Sequence, residues 1–311
     1  MKKTLSFLSL FLVTMLACDM SVTFAPPAGQ TPVPTSASVS TLIDPTQLQP
    51  SATAMPLTDT PVPTMVAPTV QPPSVTSIPV TYGPLGFMLP SSVASGFSGS
   101  QFPRAEGETV GPWGVTPGHF QITLEGYLLQ GRFHQPQIFV YPATSYAEMY
   151  PAAFESIRRL DNILYGPAAP NLNEPLPAVP FFNAAQVFAS NVQAISFQGG
   201  SGVRFVTEYA QYPAPVNNYD LFYHFQGLSR NGAYYILAIF PITAPVLAGN
   251  SDPGAILPPG GVAYPALVGS DPDFQSYYAS VTDLLNATPP DAFSPTLSQL
   301  DALIQSMLIA P

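Results

Sequence analysis

Cysteine is almost missing from this chain of 311 residues: there is one, at position 18. A disulfide within the monomer is therefore excluded, and so is thiol catalysis anywhere beyond Cys18. Lysine stops at Lys2 and Lys3, so every later cation apart from histidine is an arginine. Charged residues are only 8% of the chain, and the formal net charge is −10. A surface so poor in cations has no basic patch to meet phosphates, which makes nucleic acid and anionic lipid headgroups poor partners. Long hydrophobic runs are lacking too. The apolar stretch from Leu5 to Leu16 is well short of the roughly twenty residues that a permanent membrane span requires.

What stands at the N-terminus is ordered in a specific way. Lys2 and Lys3 precede the apolar run, which ends in Met15-Leu16-Ala17-Cys18. Such an order would let the cations hold the start of the chain on the cytoplasmic side, a short helix enter the bilayer, and a small residue before Cys18 leave the bond open to cleavage. These residues resemble a bacterial lipoprotein signal peptide, with Met15 where such lipoboxes usually carry Leu. The resemblance covers residues 1–18 and implies cleavage after residue 17, a diacylglyceryl group on Cys18, and a chain anchored by lipid outside the cytoplasm. A secretory signal cut near Ala25 and an uncleaved anchor are the alternatives. Cleavage would take both lysines with it.

From Asp19 to about Pro79 the chain is rich in Pro, Ser and Thr, has no aromatic after Phe24, and carries only Asp19, Asp44 and Asp59 as charges. Such a composition cannot bury enough apolar surface to offset chain entropy, so a disordered tether is expected over 18–80. The echoes TPVPT at 31–35 and TDTPVPT at 58–64 favour extended polyproline segments. A flexible tether of that length reaches roughly 45 Å, and more if stiffened by proline. Residues 81–311 hold nearly all the aromatics and are enough for one domain with its own core.

Within that domain, Tyr82 to Leu89 reads as an entry strand. His119 to Gln130 alternates, with Phe120, Ile122 and Leu124 on one face, and pairs with Gln137 to Tyr141 across a turn. Phe154, Ile157, Leu160 and Leu164 recur at helical spacing between Pro151 and Gly166. Gln193 to Gln198 and Val203 to Tyr209 make a second hairpin around Gly199-Gly200-Ser201-Gly202, and Leu221 to Leu228 with Ala233 to Ile242 a third, around Asn231-Gly232. A Pro- and Gly-rich loop over about 243–270 leads to a helix from near Pro272, and Ser294-Pro295 opens a last helix through Leu297, Leu300, Leu303, Ile304 and Met307. The expected fold is α+β: an antiparallel β-sheet built from hairpins, with helices on one side that include two C-terminal ones. A β-sandwich with peripheral helices is the alternative. The order of elements over 80–310 is weakly similar to the extrinsic PsbP family of α+β sandwiches, a resemblance that implies fold and nothing about function.

Candidate chemistry is sparse. Gly96-Phe97-Ser98-Gly99-Ser100 approaches a nucleophile elbow but has Ser at its last position, and a flexible glycine-serine loop is the expected structure there. A hydrolase constellation can be drawn from Ser201, His224 and Asp220, against a plain strand histidine in Leu221-Phe222-Tyr223-His224-Phe225. His119 and His134 fall near the ends of the first hairpin without a third ligand, so no metal site or cofactor is expected. Glu106 and Glu108, beside Arg104, read as a solvated loop. Asp271 and Asp273 read as charges at a helix start. Rings with a polar handle suit glycan or protein contacts, which singles out Trp113, Tyr212 and Tyr234 as binding candidates. The reading is a membrane-anchored extracytoplasmic lipoprotein, held through Cys18, whose domain binds or scaffolds an envelope protein or glycan without catalysis. The alternative is a serine-type hydrolase of the cell envelope.

Overall fold

Alternation with period two runs through the chain from Ser77 onward, and nearly every alternating run becomes a strand. A computed structural model describes residues 76–107, 110, 114–167, 174–266 and 273–310, all within one compact unit, Thr69–Pro311. The signal and lipobox with Cys18, the tether up to 75, Glu108, Trp113, Asp271 and Pro272 lie outside the described residues.

In chain order, β1 (Ser77–Tyr82) and β2 (Leu85–Pro90) come first, replacing the single entry strand expected over Tyr82 to Leu89. Gly83, at φ +56°, starts the turn that divides that stretch. β3 (Gly96–Phe102) occupies the expected glycine-serine loop, β4 spans His119–Glu125, and β5 spans Gln137–Pro142. α1 (Ala143–Met149), which no periodicity announced, leads into α2 (Pro151–Tyr165). Then come β6 (Ala185–Gln186), β7 (Ser190–Phe197), β8 (Gly200–Thr207), β9 (Tyr209–Ala210), β10 (Phe222–Ser229) and β11 (Tyr234–Pro241). α3 (Phe274–Ala287), α4 (Leu297–Gln305) and β12 (Leu308–Ile309) close the chain.

Seven strands form one antiparallel sheet in the order β3-β4-β5-β11-β10-β8-β7. A three-stranded sheet, β1-β2-β12, and a short β6-β9 pair complete the strand layers. The three expected hairpins are present, at β4-β5, β7-β8 and β10-β11. In the last, Gly232 takes φ +69° and the Asn231 side chain accepts from Ser229 Oγ (2.7 Å) and the Ala233 amide (3.1 Å), which is why Asn-Gly suits that turn. In β8 the glycines do something other than turn. Gly200 and Gly202 belong to the strand, where a Cβ would collide with the rings of Phe197 and Phe225. Ser201 therefore sits in a ladder, not in a loop.

The α+β class and the two C-terminal helices are as read from the sequence, but the helices lie on both sides of the sheet rather than on one, because the sheet is apolar on both faces. On one face Ile138, Ile236, Tyr223 and Phe225 share a core with β1-β2 and with Val281, Leu285, Leu300 and Leu303 of the C-terminal helices. On the other, Phe205, Phe222, Tyr235 and Leu237 pack against Tyr146 of α1 and Ala153 and Leu160 of α2. α2 keeps most of the expected stripe, with Leu160 buried and Ile157 and Leu164 packed against the core, but Phe154 is 52% exposed and Ala153 and Ser156 are buried in its place. The cap of α4 is Thr296, two residues beyond the expected serine, in a capping box with Gln299.

α4 is tied to the sheet by a buried ion pair. Arg204 of β8 donates from Nε (3.0 Å) and Nη2 (2.7 Å) to the two oxygens of Asp301, and also from Nη2 to Gln193 Oε1 (2.7 Å). Tyr223 Oη donates to Asp301 Oδ1 (2.9 Å). A bidentate pair whose side chains are 5% and 15% exposed orients α4 as well as holding it.

Candidate functional site: an aromatic groove on the open half of the sheet

Two helices cannot cover seven strands. α1 and α2 lie over β5, β11, β10 and β8, and among the described residues no helix packs broadly against the β3-β4 edge on that face. Alternation puts His119 and Gln121 of β4 and Phe139 and Tyr141 of β5 on this face, and with Leu237 and Ile239 they floor a cavity of about 890 Å³. Two irregular segments wall it. One carries Phe133 and His134 between β4 and β5; the other runs from Pro180 to Ala184 and faces Tyr209 to Tyr212.

The walls are held by specific bonds. β6 pairs with β9 in the register Gln186↔Tyr209, Gln186 Nε2 donates to Tyr209 Oη (3.1 Å), and Gln211 Nε2 donates to Asn183 O (2.8 Å). Phe182 stacks on Tyr209 with ring centroids 4.1 Å apart. The Phe133 amide donates to Tyr219 O (3.1 Å), and the His134 ring lies 4.3 Å from that of Phe222. On the floor His119 is sandwiched by Phe102 (5.3 Å) and Tyr141 (4.5 Å).

Electrostatically the lining is nearly empty. Burial lowers the pKa of His119, opposed by its bond to the Pro117 carbonyl, and lowers that of His134 to about 4. Both rings are neutral at neutral pH. Among the described residues the lining contains no arginine or lysine, and Asp220 is its one carboxylate. Asn217 Nδ2 donates to Asp220 Oδ2 (2.8 Å), while Asn217 Oδ1 accepts from the amides of Tyr219 (2.9 Å) and Asp220 (3.2 Å). Behind it, Glu208 Oε1 accepts from the Asn217 amide (2.7 Å), and burial raises the Glu208 pKa well above the usual carboxylate range.

No family model, curated protein or solved structure matches the chain.

Of the binding candidates, Tyr212 lies on the groove wall, 73% exposed. Tyr234 does not join it; it is half-buried against the core on the opposite face. The hydrolase constellation is not assembled. Ser201 Oγ shares a hydrogen bond with Ser196 Oγ (3.3 Å), Asp220 is engaged by Asn217, and His224 is fully buried with both ring nitrogens lacking a partner among the described residues. Register places Phe205 opposite His224, so Ser201 is four residues along β8, roughly 13 Å away at strand rise. His224 sits among the rings of Phe205 (4.6 Å), Phe222 (5.5 Å) and Phe182 (5.9 Å), and burial lowers its pKa to about 3.

Ser98 lies exposed on β3 opposite Thr123. Glu106 pairs with Arg104 (2.7 Å) at the surface, and Asp273 caps α3 by accepting from the Ser276 amide (2.9 Å). Among the described residues no three His, Cys, Asp or Glu are grouped to hold a metal ion, and no helix is long and apolar enough to cross a membrane. Phe139, Phe182 and Gln121 were not singled out by sequence. The alternation of HFQITLE carried part of the signal, since it sets His119 and Gln121 on the face opposite Ile122 and Leu124, where a polar and aromatic surface needs a reason.

Proposed function

We propose that this domain is a non-catalytic receptor that takes a small molecule with an apolar body into the groove between β4, β5 and Tyr212, on a chain held outside the cytoplasm by a lipid on Cys18. One observation carries the binding part: a cavity of about 890 Å³ whose lining is dominated by aromatic rings and is almost free of charge. That volume lies within the range of small-molecule sites, and a concave apolar lining with a few placed polar groups is their usual chemistry. Rings that are already stacked lose little freedom on binding, so the site is preorganised. Against the hydrolase reading stands His224, which has neither a nucleophile nor an orienting acid at its ring nitrogens.

A neutral fluorescent probe, N-phenyl-1-naphthylamine, tests the reading on the full chain. Its emission is expected to rise saturably on binding. Ala184→Trp, which fills the groove from a half-buried wall position, is expected to reduce the affinity by about tenfold or more while leaving thermal unfolding cooperative. Equal binding by the variant would place the probe elsewhere and remove the groove from consideration.

A further inference from the structure

Of the described residues that line the groove, Asp220 is the one charged side chain, and no cation lines the groove beside it. Asp220 Oδ2 is held by Asn217 Nδ2, and Asp220 Oδ1 has no hydrogen-bond partner among the described residues. The same asparagine is fixed from behind by Glu208 and accepts from the Tyr219 and Asp220 amides, so the carboxylate is set in place rather than free to swing into solvent. Phe133 stands at this end of the groove because its amide bonds Tyr219 O, next to Asp220 in the chain. Arg132 is not part of the lining; it donates from Nη1 to Asn218 O (3.3 Å).

Such a site discriminates by charge. An anionic ligand would bury its charge with no cation to meet it, and an unpaired buried charge is strongly unfavourable. A neutral apolar ligand would cover the Asp220 carboxylate without compensating it. An ammonium group carrying alkyl substituents avoids both penalties, since it loses little hydration, is attracted by the negative faces of aromatic rings, and pairs with a carboxylate. The whole molecule adds to this, because a net charge of −10 raises the local concentration of cations. Accepting the groove as a binding site, we infer that its ligand is an organic cation, a substituted ammonium group on an apolar body, with Asp220 as counter-ion and the surrounding rings as its cage.

Three probes of one shape and different charge test this on the full chain, each by displacement of N-phenyl-1-naphthylamine: (4-hydroxyphenyl)trimethylammonium, its neutral counterpart 4-tert-butylphenol, and 4-hydroxybenzenesulfonate. The ammonium is expected to bind at least about tenfold tighter than the phenol, and the sulfonate not to compete. Asp220→Asn, which keeps the shape and the Asn217 contact, is expected to abolish that preference without weakening 4-tert-butylphenol. A wild-type protein that binds the phenol as tightly as the ammonium overturns the inference and leaves the groove as a neutral apolar site. A preference that survives in Asp220→Asn overturns the role of Asp220. If the naphthylamine itself binds equally to Ala184→Trp, the groove reading fails first, and the cation inference falls with it. The probe comparison in the unaltered protein needs no variant to fold.

Discussion

Burying a histidine without a hydrogen-bond partner carries a desolvation cost. His224 is 0% exposed and neither ring nitrogen has a partner among the described residues, so no described side chain or carbonyl replaces the water its neutral N–H gives up. Its pKa falls from 6.5 to about 3, and the folded state therefore holds fewer protons than the unfolded chain between those values. The stability that depends on a neutral His224 is complete above about pH 6.5 and is lost as pH falls toward about 3. His134 adds to the same acid limb through its pKa of about 4. Glu208 works in the opposite sense, since burial raises its pKa and the fold loses stability as pH rises through that raised value. Replacing His224 by Leu is expected to stabilise the domain at neutral pH by about 1–3 kcal/mol and to flatten, though not abolish, the acid limb. Thermal denaturation across pH 3 to 8 checks both, and an unchanged acid limb would show that His224 is not its source.

At the scale of elements, sequence pattern and tertiary context divided the work unevenly. The β10-β11 hairpin was legible because aromatic-aliphatic runs and Asn231-Gly232 both point to one local structure, and its register follows from that turn. β3 was not legible: Gly96 to Ser100 has low strand propensity, and only backbone pairing with β4 makes it a strand. Gly200 and Gly202 misled in the same way, because their local preference for turns gives way to the rings of Phe197 and Phe225 that press on the strand. α4 itself was legible, but its place on the sheet is held by a contact no local pattern announces, the Arg204–Asp301 pair between residues far apart in the chain. Asp301→Asn leaves the guanidinium buried without its counter-charge and is expected to cost roughly 3–5 kcal/mol, read as a lowered denaturation midpoint. A cost within about 0.5 kcal/mol, as for an exposed substitution, would mean that the pair sets orientation only.

For the molecule as a whole, the proposal joins a receptor domain to a lipid through a Pro-rich segment, and the anchor can be tested apart from the groove. Intact mass spectrometry of membrane-extracted protein is expected to find an N-terminus at Cys18 carrying a diacylglyceryl mass, absent in Cys18→Ser. An unmodified N-terminus further along the chain would make this a secreted protein and leave the groove untouched. The negative charge belongs to this scale as well, since it disfavours anionic partners for the entire surface.

Composition and periodicity by themselves determined the α+β class, the hairpins, the two C-terminal helices and the poverty of cations, because each follows from local spacing or from a count. The groove was decided only by tertiary structure. It exists because α1 and α2 cover one half of a seven-stranded face and leave the other open, and because the segments 180–184 and 209–212, distant from β4 in the chain, close over what remains. His119, His134, Tyr212 and Asp220 were visible one at a time as residues worth weighing. That they share a cavity while Ser201 and Tyr234 do not depends on strand register and on which face each side chain takes, and no spacing along the chain encodes that.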